Sequence, residues 1–371
     1  MPAMVAMDVV VYAVIVLAVW AVLFLVQIPL RKSDRRALRT VIFVLKLVLL
    51  ALVTYLFMVY VSYVTYVFRD EFAALYLALC GDILASIIGF VVGKARGRQP
   101  KDQLLLTGVL SVALTCCVFA YGVVNSNTVQ EQAHTYALEG VTQEHTFVFM
   151  SDLHTGTCQT FETLEGVVES INAACPDFVI LGGDVTDEMT SADEMQRTYQ
   201  ILSGINAPTY FIYGNHDRQI DSQYLGGRTY TDEELEATIE AAGITILKDE
   251  YVQIADDLVL LGREDISAED SRVAWSDLSN PYSGGLIVAD HQPLDDEQLD
   301  LEQATVQVSG HTHAGQLFPL QTISNLVGVP AYGDYQFGDV QLMVSPGESG
   351  WGFPLRTEEH CTWDLVTVTP K

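Results

Sequence analysis

The stretch from Thr146 to Asp217 constrains the fold of this chain more than any other feature. It contains three short apolar runs, at residues 146–150, 177–181 and 209–213, which are bounded by turn residues and separated by helical patterns. Runs of this length predict buried β-strands, and their alternation with helices predicts an α/β fold whose sheet is covered on both faces. In open sheets of this kind, ligands bind beyond the strand ends.

Side chains that bind metals or carry protons follow these predicted strands, and they also follow two later strand-like runs at 286–289 and 305–308. The residues are Asp152, His154, Asp184, Asn215, His216, Asp217, His291, His311 and His313. A lone histidine after a strand is most often structural, but five of them with carboxylate and amide neighbours favour a metal site. This ligand set suits Mn, Fe or Zn, and it is large enough for two ions.

The spacing of these residues has a physical rationale. Alternate residues of a strand share a face, so Asp152 and His154 are expected to point to one metal, and His311 and His313 likewise. Glycines before Asp184 and Asn215 allow the backbone and a substrate to approach closely.

The first third of the chain predicts a membrane region. Half of all residues are hydrophobic, and the mean hydropathy is +0.26. Four apolar stretches long enough to span a bilayer cover about residues 7–28, 41–67, 72–92 and 104–124. The predicted organisation is therefore a four-helix membrane region at 1–124, a polar linker at 125–144 and a soluble domain at 145–371.

Basic loops set the expected orientation. Both strongly basic loops, at 31–39 and 94–101, follow odd-numbered spans. Because short basic loops stay in the cytoplasm, we expect an integral protein of the plasma membrane whose soluble domain is extracytoplasmic. Tyr60, Tyr63 and Tyr66 would then lie near the outer interface. Asp82, in the third span, is interpreted as a polar contact between helices that pairs with Lys46, with a transport role as the alternative.

The soluble part is strongly acidic. Residues 103–371 contain 8 Lys and Arg against 41 Asp and Glu, a net charge of −33. Such a domain repels nucleic-acid phosphates and anionic lipid surfaces, so no nucleic-acid partner is expected. The acidity also fits a simple role in solubility. The six cysteines form no CxxC pair, so the sequence indicates neither a cysteine zinc site nor a disulfide framework.

Five blocks together resemble the calcineurin-like metallophosphoesterase superfamily and occur in its order over about residues 145–315. They are Asp152-Leu153-His154, Gly182-Gly183-Asp184, Gly214-Asn215-His216-Asp217, His291 and Gly310-His311-Thr312-His313. The chain is most similar to the membrane-anchored phosphohydrolase branch, which carries a Gly-His-Thr-His-Gly-Gly-Gln run. Here Ala314 replaces the first late glycine, before Gly315 and Gln316. The substitution leaves both histidines in place and affects the local loop.

The resemblance implies a four-layer α/β/β/α sandwich and a role for each site residue. Asp152, His154 and His313 would bind one metal. Asn215, His291 and His311 would bind a second, and Asp184 would bridge both. His216 would contact the phosphate and protonate the leaving oxygen, while Asp217 would orient His216.

The function that follows is hydrolysis of a phosphate ester by a hydroxide formed between two divalent metals, with the enzyme tethered to the lipid bilayer. The substrate is a phosphodiester or a phosphomonoester, with a lipid-linked phosphate as one option. Manganese is the metal to test first, and the ligands do not fix the oligomeric state. The alternative is a membrane sensor or binding module whose phosphoesterase-like domain is not catalytic.

Overall fold

The computed structural model divides the chain into two compact units, residues 1–123 and 124–371. The structure describes residues 14–25, 28, 36–59, 69–97, 104–268, 271–293, 305–353 and 355–371.

The first unit is helical. Within the described residues, three helices are long and apolar enough to cross a membrane: α2 (Arg36–Val59), α3 (Arg69–Ala95) and α4 (Leu104–Ser126). The helix α1 (Val14–Leu25) is apolar but shorter. The remainder of the predicted first span and the three interface tyrosines, Tyr60, Tyr63 and Tyr66, lie outside the described residues.

Asp82 makes the predicted contact between helices. Its Oδ2 atom on α3 lies 2.5 Å from Nζ of Lys46 on α2, and both side chains are buried. The Ser111 hydroxyl donates to Asp82 Oδ1 at 3.5 Å. An intramembrane carboxylate is costly unless it is paired, and this pairing removes much of that cost.

In its described residues, the second unit contains two six-stranded sheets. The strands in chain order are β1 (Val129–Leu138), β2 (His145–Met150), β3 (Phe178–Leu181), β4 (Thr209–Phe211), β5 (Thr245–Ile246), β6 (Glu250–Ala255), β7 (Leu258–Gly262), β8 (Gly285–Ala289), β9 (Thr305–Ser309), β10 (Gly333–Phe337), β11 (Val340–Val344) and β12 (Cys361–Pro370). The first sheet has the order β1-β12-β2-β3-β4-β5, and the second has the order β10-β11-β9-β8-β7-β6.

Strand periodicity explains the layers. On β2, Phe147 and Phe149 pack between the two sheets, while Val148 and Met150 face the helices on the outer side of the first sheet. Those helices are α5 (Phe161–Ala174), α6 (Ala192–Leu202) and α7 (Asp232–Ala241). Capping boxes begin α6 and α7, as their sequences predict. The predicted α/β sandwich is therefore confirmed.

The interpretation of residues 125–144 as a linker was wrong for most of that range. Val129–Leu138 forms the edge strand β1, which pairs in parallel with β12 along ten residues, from Val129 opposite Cys361 to Leu138 opposite Pro370. The strand escaped prediction because much of it faces solvent, and its polar residues hide the apolar alternation. Only residues 127 and 128 separate it from α4.

Asp257 ties the start of the first sheet to the second. Its carboxylate accepts hydrogen bonds from the Thr142 hydroxyl at 2.5 Å and from the Thr142 amide at 2.6 Å. His145 Nε2 lies 2.8 Å from the other oxygen. The Thr142 hydroxyl lowers the pKa of Asp257 below its usual value; burial opposes this effect, and the Thr142 amide and His145 add to it.

We expect Asp257→Asn to lower the free energy of unfolding by about 1–3 kcal/mol at neutral pH, because charged hydrogen bonds are lost. A depressed carboxyl pKa adds stability above the unfolded value of about 3.9, and that stability disappears as the pH falls through the folded value. Thermal unfolding of the detergent-solubilised chain across this range should show a shallower acid decline in Asp257→Asn. The exposed neighbour provides the control Asp256→Asn, and equal acid declines in wild type and Asp257→Asn would contradict the prediction.

Candidate metal centre

The predicted site residues converge where the two sheets end. Strands β2, β3 and β4 run parallel in the first sheet, and β8 and β9 run parallel in the second, so the loops at their carboxyl ends lie at one edge. Two groups of potential ligands form there, each with its ligand atoms within 4.8 Å of one another. The groups are Asp152, His154 and His313, and Asp184, His291 and His311.

Asp184 lies between the two groups. Its Oδ2 atom is 3.1 Å from His291 Nε2 in its own group and 3.9 Å from His154 Nε2 in the other. Asn215 joins the second group, because its Oδ1 atom is 2.8 Å from His311 Nδ1. In the first group, His313 Nε2 is 3.4 Å from Asp152 Oδ1. The arrangement offers two adjacent sites with one shared carboxylate.

The direction of the imidazole nitrogens fits bound cations. His291 Nδ1 lies 2.8 Å from the Gly182 carbonyl and His313 Nδ1 lies 3.0 Å from the Ser349 carbonyl, so each of these nitrogens donates its proton. In the neutral rings that metals bind, the Nε2 lone pairs then face carboxylate oxygens. Among the residues that the structure describes, His291 Nε2 and both nitrogens of His154 are buried without a hydrogen-bond partner. Acceptors that face acceptors in a buried site need a cation between them, so the residues present fit a divalent metal pair.

The backbone at these ligands is unusual. Five of them have φ between 45° and 71°, in the left-handed region: Asp152, His154, Asp184, His311 and His313. Strand β2 already ends at Met150, so strand alternation is the wrong reason for the convergence of Asp152 and His154. Backbone bonds from the Asp152 amide to the Gly183 carbonyl and from the His154 amide to the Asp184 carbonyl hold the loop instead. Such conformations cost about 1–3 kcal/mol each and cluster at functional sites.

Gly214 shows how tightly the loops pack. A Cβ atom at this position would lie 2.2 Å from Asp184 Oδ1. We therefore expect Gly214→Ala to displace Asp184 and to lower metal affinity by about tenfold or more, as loss of a supporting contact does. Titration of the metal-free protein with manganese measures this effect.

Gly166, on α5, is the matched control. A Cβ atom there would meet no atom of the described residues within 4 Å, and Gly166 lies within a regular helix. Gly166→Ala should leave metal affinity unchanged and raise the free energy of unfolding by about 0.5–1 kcal/mol. Equal metal affinities in the two variants and wild type would refute the packing argument.

His216 lies beside the ligand groups and has its own partners. Its Nδ1 atom is 2.8 Å from Glu188 Oε2, and its ring stacks on Trp351 with centroids 5.0 Å apart.

Asp217 was predicted to orient His216, but its carboxylate accepts hydrogen bonds from the backbone amides of Gly214, Asp184, Val185 and Thr186. Asp217 therefore shapes the loops of β3 and β4, and Glu188 is the partner of the ring.

Sequence reasoning missed Glu188 and Asp187. Asp187 Oδ2 lies 3.3 Å from His154 Nδ1, in contact but away from ideal hydrogen-bond geometry, and both side chains are fully buried. Carboxylates behind ligating histidines orient the ring and raise its basicity. The signal was available in the sequence, because Asp187 and Glu188 follow Asp184 after only two intervening residues.

Charges in the site set the proton positions. Burial raises the pKa of Asp184, but His291 and His216 outweigh it and hold the pKa well below its usual value. Burial lowers the pKa of His216, yet Glu188 and Asp184 raise it to about 10, so the ring carries a proton at neutral pH. Burial, with His291 next, lowers the pKa of His311 to about 4, which keeps it in the neutral form that metals bind.

A cavity of about 170 Å³ opens beside the second ligand group. Both polar and apolar side chains line the cavity. They include the Arg272–Asp290 ion pair, in which Arg272 Nη2 and Asp290 Oδ2 are 2.6 Å apart. The lining residues are Ile266, Arg272, Asp290, Gln292, Pro293, His311, Thr312 and Val329.

This fold and site define a class of proteins that bind two metals at the ends of facing sheets, and the comparisons agree. The family model for calcineurin-like phosphoesterases matches residues 145–315. A metallophosphoesterase of Bacillus subtilis, YkuE, is 30% identical over 229 residues, which cover 56% of this chain and 73% of the relative. The chain belongs to the calcineurin-like metallophosphoesterase family.

Two further relatives extend the comparison. A transmembrane protein with a metallophosphoesterase domain from Danio rerio is 26% identical over 284 residues, which cover 70% of this chain and 60% of the relative. A metallophosphoesterase of Helicobacter pylori is 27% identical over 231 residues, which cover 59% of this chain and 58% of the relative. The chain thus spans less than two thirds of the length of these two relatives.

Proposed function

We propose that this chain is a membrane-tethered enzyme that hydrolyses a phosphate ester with the help of two divalent metal ions. The observation that carries the proposal is the position of Asp184 Oδ2 within 3.9 Å of an imidazole nitrogen from each ligand group. A carboxylate that formed only a structural ion pair would need one imidazole partner, not one from each ligand group.

Each ligand group is assigned to one metal. Asp152, His154 and His313 would hold the first ion, Asn215, His291 and His311 would hold the second, and Asp184 would serve both. The bound ions supply an activated water and neutralise charge on the phosphoryl group during in-line displacement. The mixture of carboxylate, imidazole and amide ligands suits manganese, iron or zinc.

His216 is assigned as the proton donor to the leaving oxygen. Because Glu188 occupies its Nδ1 side at 2.8 Å, Nε2 is the nitrogen that holds the transferable proton. The raised pKa of His216 keeps this proton in place at neutral pH. Trp351 stacks on the ring and fixes its plane, so the donor is oriented before substrate binds.

The setting favours a substrate at a membrane. In the described part of the chain, three membrane-length helices precede the second unit, and two residues connect α4 to β1. The proposed substrate is therefore a lipid-linked phosphate ester, either a diester or a monoester, and the basic-loop pattern supports an extracytoplasmic catalytic unit in the plasma membrane. Protection of the unit from added protease in right-side-out cells would contradict this orientation.

The test uses the full chain purified in detergent, stripped with a chelator and reloaded with manganese, iron or zinc. Hydrolysis of bis(p-nitrophenyl) phosphate and p-nitrophenyl phosphate should require the metal, and the preferred compound separates diesterase from monoesterase. Metal analysis of the same samples should give two ions per chain. Two bound ions without hydrolysis of either compound, or of phospholipid vesicles, would favour the non-catalytic sensor.

A further inference from the structure

A segment beside the metal centre exposes large apolar side chains to solvent. The segment is residues 318–329, and it includes the short helix α8 (Leu320–Leu326), which Leu320 anchors in the core. Its exposed fractions are 81% for Leu326, 68% for Val327, 62% for Phe318 and 47% for Val329. Contiguous exposed apolar groups of this kind mark interaction surfaces.

The segment 318–329 is also free of formal charge. No Asp, Glu, Lys or Arg occurs between Glu302 and Asp334, in a region of the chain whose net charge is −33. Most of the acidic surface is repelled by anionic lipid headgroups, whereas an uncharged apolar segment can enter a bilayer without placing a charge in hydrocarbon. The chemistry of the segment therefore fits a lipid surface.

The contacts of the segment connect it to the end of a membrane helix. The Gln321 amide donates to Glu358 Oε2 at 2.9 Å, and the Asn125 side chain donates to the Glu358 carbonyl at 3.3 Å. Asn125 is the penultimate residue of α4, which is long and apolar enough to cross a bilayer and reaches Ser126. Glu358 thus contacts both the segment 318–329 and Asn125, near the end of α4.

We infer that the segment 318–329 inserts into the surface of the bilayer that holds the chain. Leu326 and Val327 enter the boundary between headgroups and acyl chains, as the apolar face of an interfacial helix does. Val329 also lines the cavity beside His311, so this cavity opens next to the lipid surface. The inference concerns binding alone and does not depend on the proposed hydrolysis.

The experiment places an environment-sensitive fluorophore on the full chain in liposomes that contain nitroxide-labelled phospholipid. The label is attached through Leu326→Cys in a background whose exposed cysteines, Cys116, Cys117 and Cys175, are serine. Tyr282→Cys is the matched control, because Tyr282 is 40% exposed and precedes β8, at the strand end opposite His291. The unsubstituted background shows how much label reaches other positions.

If the segment inserts, the emission of the label at position 326 should shift to the blue. Nitroxide lipids should also quench the label at 326 about twofold or more strongly than the label at 282, as expected for a depth of about 5–10 Å. Adding Val327→Asp should reduce this difference, because a carboxylate resists transfer into lipid. Equal quenching at 326 and 282 overturns the inference. A blue shift at 326 without quenching also overturns it, because a protein surface or a second copy of the chain would then cover the segment.

Discussion

Asp184→Asn is expected to lower metal-dependent hydrolysis by about a thousandfold, the size of effect produced by loss of one preorganised charge contact in a transition state. Asparagine keeps the shape of the side chain but lacks the charge and one of the carboxylate oxygens. Oδ2 of Asp184 faces His291 and His154, while Oδ1 accepts the His216 amide at 2.8 Å. The change should therefore weaken both metal sites together.

Rates and metal content measured on the same preparation test this prediction. Asp187→Asn should have a smaller effect, about 10- to 100-fold, because Asp187 supports His154 from behind. Asp339→Asn, at the exposed turn before β11, should retain both rate and metal. An Asp184→Asn protein with the wild-type rate would remove the basis of the assignment.

His216→Ala is expected to lower turnover by about 10²- to 10⁴-fold, the usual range for a general acid, without loss of metal. The loss should depend on the leaving group. A p-nitrophenolate departs readily without a proton, so its ester should show the smaller loss, and an alkyl phosphate ester should show the larger one. A uniform loss across leaving groups, or a loss of bound metal, would mean that His216 acts in another way.

Glu188→Gln separates positioning from proton donation. The Glu188 carboxylate raises the pKa of His216, so its removal should lower that pKa and move the basic limb of the pH–rate profile to lower pH. Turnover at acidic pH should fall less than in His216→Ala, because the ring is still present. An unchanged profile would show that Glu188 does not set the protonation of His216.

Much of the site could be predicted because short local stretches of the sequence contain the ligand residues in a recognisable order. Each of the predicted residues follows a strand of apolar side chains, and parallel strands bring their ends to one edge. What the sequence could not give was the path of the loops. The left-handed backbone at Asp152 and His154, and not strand alternation, turns both toward the same group. That conformation depends on bonds to Gly183 and Asp184, about thirty residues away.

Other parts were hidden because tertiary pairing decides them. The sequence pointed to Asp217 as the partner of His216, and only the fold shows that Asp217 is occupied by four backbone amides and that Glu188 lies beside the ring. Trp351 reaches His216 from a loop 135 positions further along the chain. The edge strand β1 lacked a clear apolar period, because half of an edge strand faces water.

The pairing of β1 with β12 bears on how the metallophosphoesterase domain could be released from a membrane. A protease that cuts before residue 129 leaves all twelve described strands in the released piece, and with them both metal-ligand groups. A cut after Leu138 leaves β1 with the anchor and strips one side of β12, which uncovers ten residues of strand edge. β1 is itself an edge strand, but much of it is polar and exposed, whereas β12 is mostly buried, so the newly exposed edge should recruit other strands and the second fragment should aggregate. The same ten residues thus decide whether cleavage should yield a soluble metallophosphoesterase domain or a precipitate.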